Sequence, residues 1–211
     1  MSGTMRVLGS LVTVAALSVT TQIALSPAAH AADPIENCRG ALTDEAFIGR
    51  DVVVPGNAKQ DWPEDHRENR RHPRRLRIHD VVRFTARGSV QIATWGDHKG
   101  PWGNGWDDLA PDNGRWPAPG EPKYALLVRP VAARVVILDG PDRGLVLRPG
   151  AWYVAGEDSE CMRIVRTSSR DDVTPRFEFK INDDNVGDNN DGFDVFARVW
   201  RSCVPPIDSG C

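Results

Sequence analysis

Eleven consecutive positions near the carboxyl end, Asn182-Asp183-Asp184-Asn185-Val186-Gly187-Asp188-Asn189-Asn190-Asp191-Gly192, hold eight carboxylate or carboxamide side chains. Like charges crowded this closely repel unless something positive sits among them. A hard divalent cation such as calcium takes six to eight oxygen ligands, which Asp and Asn side chains and freed loop carbonyls supply in a small volume. The spacing is not that of an EF-hand, which places oxygen ligands at its first, third and fifth positions and glycine at its sixth. The competing reading is a solvated hairpin loop, because Asn, Asp and Gly favour turns for backbone reasons alone.

Other residues with chemical potential are weaker candidates. Trp95, Trp102, Trp106 and Trp116 crowd one turn-rich stretch, 95–120, and could stack on the face of a sugar ring or simply pack beneath a long loop. Trp116 is the best placed of them, beside Pro111-Asp112-Asn113-Gly114. The basic run from His66 to Arg77 is a candidate for acidic polysaccharide or nucleic acid, but it holds no aromatic to stack a base and reads as a solvated insertion. Catalysis finds little footing. No pair of acids stands out as a glycosidase couple, Ser168 and Ser169 lack a nucleophile-elbow context, and His98 beside Asp97 is an ordinary polar loop pairing.

The elements that would position these residues are strands. Runs rich in Val, Ile and Phe recur at Asp51 to Val54, Arg77 to Thr85, Ser89 to Thr94, Tyr124 to Arg129, Ala133 to Leu138, Met162 to Arg166, Arg176 to Ile181 and Phe193 to Trp200. In the last two, Phe177, Phe179 and Ile181, then Phe193, Val195, Ala197 and Val199, alternate as one face of a half-buried sheet must. Sixteen Pro, nineteen Gly and no helical period of useful length favour an all-β sandwich. The acidic segment connects the two best strands.

The chain has 211 residues and a formal charge of −3. Arg6, an apolar run from Val7 to Leu25 and Ala29-His30-Ala31 read as a secretory signal over 1–31, leaving a single domain over 32–211. Removing that segment takes one Arg and no acid, so 25 basic side chains face 29 acidic ones, a charge of −4. This balance argues against nucleic acid as a partner, and no later apolar segment reaches membrane-spanning length. Cys38, Cys161, Cys203 and Cys211 all follow the signal, so two disulfides are expected. Of three possible pairings, Cys203 with Cys211 and Cys38 with Cys161 is favoured, because the first pair flanks a short segment.

Three blocks together resemble the calcium-dependent galactophilic lectins of the LecA (PA-I) type. The first is Phe177-x-Phe179-x-Ile181-Asn182-Asp183, four residues, Asp188-Asn189, then Phe193-x-Val195. The second is Ala110-Pro111-Asp112-Asn113-Gly114 followed by Ala125-Leu126-Leu127, similar to that family's His-Pro-Asp-Gln-Gly sugar loop and the strand beyond it. The third is Val52-x-Val54 with Trp62, His79-Asp80-Val81 and Arg87-Gly88. The resemblance runs from Val52 to Trp200. It implies a small jelly-roll β-sandwich, galactose-binding-domain-like with long loops, in which Asp183, Asp188 and Asn189 hold calcium through their side chains. Carbonyls near Asn185 or Val186, and from the end of the Ser89 to Thr94 strand, would complete the shell. Two adjacent sugar hydroxyls would sit on the ion, contacted by Asp112, Asn113, Trp116, Asp183 and Asp188.

Two departures limit the inference. The metal loop is two residues shorter than in those lectins, and Ala110 stands where they place a sugar-contacting His. Galactose preference therefore does not transfer. The expectation is a secreted, non-catalytic, calcium-dependent binder of a galactoside-like or other glycan. The alternative is a calcium- and disulfide-stiffened extracellular interaction module without sugar binding, and a small secreted hydrolase stands third. The glycan and any homo-oligomer are left open.

Overall fold

A computed structural model describes residues 33–42, 47–48, 52–62, 76–167 and 175–201. Residues 1–31, expected as a secretory signal, residues 66–75 of the basic run, Ser168, Ser169, Cys203 and Cys211 lie outside the described residues. The architecture is all-β, two antiparallel sheets packed face to face. The first sheet contains β1 (Phe47–Ile48), β2 (Val52–Pro55), β4 (Val81–Gln91), β5 (His98–Lys99), β7 (Ala133–Ile137), β8 (Val146–Leu147), β10 (Met162–Thr167) and β12 (Asn190–Trp200). The second runs in the order β3 (Gln60–Trp62), β11 (Arg176–Ile181), β6 (Leu126–Val131), β9 (Tyr153–Val154). One helical turn, α1 (Pro34–Arg39), precedes them; Asp33 caps it by accepting the Ile35 N–H.

Strand β4 corrects the sequence reading. The runs Arg77 to Thr85 and Ser89 to Thr94 were expected as separate strands. They form one strand of eleven residues, paired without a slip to β12 from Trp200 opposite Val81 to Asn190 opposite Gln91. Gly88 takes a positive φ of 94° and lies against the Gly192 carbonyl, so the absent side chain lets the ladder continue through the apparent break. Residues 77–80 form the approach to the strand. Short strands β1, β3, β5, β8 and β9, two or three residues each, carried too little pattern to be read.

The core lies between the sheets. Phe84 of β4 meets Trp62 of β3 and Phe177 and Phe179 of β11, all edge-on, with ring centroids 5.6, 5.0 and 5.0 Å away. Phe177, Phe179, Ile181, Phe193, Val195, Ala197 and Val199 are buried, as their alternation requires. Cys38 on α1 is bonded to Cys161 at the start of β10, 123 residues away. Arg201 grips the buried Asp80 through two contacts of 2.9 Å, and the Arg77 N–H reaches the same carboxylate at 2.8 Å.

Candidate functional site at the 182–189 connection

β11 and β12 belong to opposite sheets, so residues 182–189 must cross from one to the other. The crossing starts with Asn182, which is fully buried. Its side chain donates to the carbonyls of Ala118, Glu121 and Pro122 and accepts the Ala118 N–H, while its backbone carbonyl receives the Tyr124 N–H. One amide thereby fastens the 110–124 loop to the end of β11. The two blocks that the sequence suggested as a metal loop and a sugar loop are neighbours in space. Arg115 adds a 3.1 Å ion pair to Asp184 across the same seam.

Asp183 follows Ile181 in the inward-facing parity of β11 and is 6% exposed. Its Oδ1 accepts the Asn185 N–H at 3.0 Å, and the Asn185 side chain donates to Asp188 at 2.8 Å, so Asn185 straddles both carboxylates. Val186–Asp188 form a single 3-10 turn, with the Val186 carbonyl accepting from Asn189. Asn189 is 2% exposed; its Nδ2 donates to the Gly56 carbonyl at 3.1 Å, and its Oδ1 is buried with no hydrogen-bond partner. Gln91, the last residue of β4, stands opposite Asn190, which puts that strand end beside the loop. Tyr124, missed by the sequence reading, is half-buried here, and burial together with the charges of Asp183 and Asp184 pushes its phenol up.

Among the described residues three carboxylates are buried: Asp80, Glu178 and Asp183. Asp80 is held by Arg201, and Glu178 sits 2.7 Å from Arg129 and 3.5 Å from Lys59. Asp183 forms no ion pair with any described residue. An unpaired buried carboxylate is costly, and a buried amide oxygen without a donor adds to that cost. Both fall in one loop, and a cation that takes oxygen ligands would relieve both. No three Asp, Glu, His or Cys side chains of the described residues converge on one point. A cation here would therefore depend on Asn and backbone oxygens as well as Asp183 and Asp188.

The residues of the expected sugar loop are placed less favourably. Asp112 and Asn113 are exposed, and Asn113 Oδ1 accepts the Arg115 N–H in a local turn. Ala110 is buried and paired through its backbone to Gly120 and Glu121. Trp116 is only 9% exposed, packs edge-on against Tyr124 and has the Lys123 ammonium 5.9 Å above its ring. Trp95 is the opposite case, 95% exposed in the hairpin between β4 and β5. That hairpin is steadied by His98, whose Nε2 lies 3.3 Å from the Asp191 carboxylate; Asp97, the neighbour it might have used, pairs with Lys99.

Comparison with family models and with curated proteins finds no match for this chain.

Proposed function

We propose that the protein is a secreted, calcium-dependent, non-catalytic carbohydrate-binding β-sandwich of jelly-roll type. The observation that carries this reading is Asp183, which among the described residues is the one buried carboxylate that forms no ion pair, in the same loop as the orphaned Asn189 Oδ1. Asp183, Asp188 and Asn189 would hold the ion with their side chains, Asn185 or Val186 and the end of β4 contributing carbonyls. Bound calcium supplies an electropositive anchor for two adjacent sugar hydroxyls. Asp183 and Asp188 then accept hydrogen bonds from those hydroxyls, and the exposed Asp112 and Asn113 lie on the loop that Asn182 fastens alongside. Because Trp116 is covered, the stacking role passes to Trp95, whose hairpin lies at the same end of the first sheet as the loop. The Cys38–Cys161 disulfide suits an exported protein.

One observation favours the second reading, an interaction module without sugar recognition. Ala110 is buried where a contacting side chain would be needed, and Asn113 has committed its oxygen to Arg115. Calcium calorimetry followed by a glycan array, run with calcium and with EDTA, separates the two. Calcium heat with EDTA-sensitive glycan retention supports lectin function. Calcium heat without retention supports the module, and no heat at millimolar calcium removes both.

A further inference from the structure

Away from the loop, two carboxylates and a phenol from three segments meet beside β9, the edge strand of the second sheet. Tyr153 of β9 places its hydroxyl 2.8 Å from Glu160 Oε2 and 3.2 Å from Asp142 Oδ2. Glu160 belongs to the connection entering β10, and Asp142 to the turn between β7 and β8. The Glu160 carboxylate lies directly over Gly140, at a φ of 68°, where any side chain would collide with it. The Asp142 backbone N–H also reaches Glu160. The turn is thus built around this one carboxylate.

A phenol has one proton, and two carboxylates stand within reach of it. When both acids are ionised, one contact is a hydrogen bond and the other sets lone pair against lone pair. With one extra proton, the phenol donates to the ionised acid and accepts from the protonated one, so both contacts are satisfied. We propose that Asp142, Tyr153 and Glu160 form a proton-operated latch that fastens the β7–β8 turn to the sheet in mild acid and loosens it as the pH rises to neutral.

The surroundings favour proton uptake at Glu160 rather than an ion pair. The charges facing it are Asp142 and Asp139, both acidic; burial raises its carboxyl above the ordinary range, and the Tyr153 hydroxyl and the Asp142 backbone N–H oppose that rise without cancelling it. Asp142 in turn faces Glu121, also raised by burial, on the loop that Asn182 holds. No cation is among the charges acting on Glu160: Arg83 faces Asp139 but pairs with Asp158, Arg39 donates to the Leu138 carbonyl, and Arg143 of the turn is exposed. A carboxyl whose folded pKa is raised gives stability that is complete below about 4.3, the unfolded value, and is lost as pH rises through the folded one.

The test uses the full chain, its Glu160→Gln and Tyr153→Phe variants, and two readouts. Thermal midpoints from pH 4.5 to 8 should show the parent losing about 2–4 °C relative to Glu160→Gln as the pH rises. The advantage of the parent over Tyr153→Phe should shrink over the same interval. Carbon NMR of the parent's side-chain carboxyls should find Glu160 titrating above the usual glutamate range, a measurement that does not depend on any variant folding. A Glu160 carboxyl titrating at about 4.3, or parent and Glu160→Gln profiles that superimpose, would overturn the latch.

Discussion

The Asn182 side chain and the Ala118 backbone pair in both directions: the Asn182 amide donates to the Ala118 carbonyl at 3.1 Å and the Ala118 N–H returns a bond to Asn182 Oδ1 at 3.1 Å. This is the pattern one strand makes with another, supplied here by a side chain. It fixes where the 110–124 loop sits relative to the end of β11, and so how far Asp112 and Asn113 stand from Asp183.

Asn182→Ala should therefore destabilise the fold by about 3 kcal/mol, because it leaves several buried backbone groups without partners. Urea unfolding measures this. A loss under about 0.5 kcal/mol, the range of an ordinary surface change, would show that the loop is held by other means.

Asp183→Asn should change sign with the metal. In EDTA the variant removes an unpaired buried charge and should be as stable as the parent or more so, whereas in millimolar calcium the parent should gain and the variant should not. Thermal midpoints under both conditions decide it. A parent midpoint indifferent to calcium would discard the metal loop.

Gly56→Ala probes the support behind Asn189. A Cβ at Gly56 would lie 2.5 Å from Val90 Cγ2 and 3.1 Å from Asn189 Cβ, and the Gly56 carbonyl is the acceptor for Asn189 Nδ2. The variant should lose about 1–3 kcal/mol and weaken calcium binding. Unchanged calcium heat in a folded variant would separate Asn189 from the metal.

Reduction of Cys38–Cys161 opens a link spanning 123 residues and should cost about 2–5 kcal/mol. Unfolding curves with and without reductant at matched pH provide the comparison.

Trp95→Ala should leave stability within about 0.5 kcal/mol, since the side chain is almost wholly exposed, yet abolish glycan retention if it is the stacking surface. Retention unaffected in a folded Trp95→Ala protein would return the stacking question to Trp102 and Trp106, which are also exposed.

What the sequence determined by itself was the class of fold and the place of the unusual segment. Alternation over 177–181 and 193–199 is a local property of the chain, because successive strand residues face opposite ways whatever surrounds them. Oxygen-rich composition between those strands was equally visible. Tertiary structure alone decided which oxygens are costly to leave alone. Asp80, Glu178 and Asp183 are all acids in or beside strands, and only burial and the arrival of Arg201, Arg129 and Lys59 from distant segments distinguish the two that are paired from the one that is not. The same holds for the tryptophans: Trp95 and Trp116 stood in one turn-rich stretch, and contact with Tyr124 covered the second while nothing covered the first. Strand periodicity is written between neighbours in the chain, whereas desolvation depends on partners the chain brings back from far away.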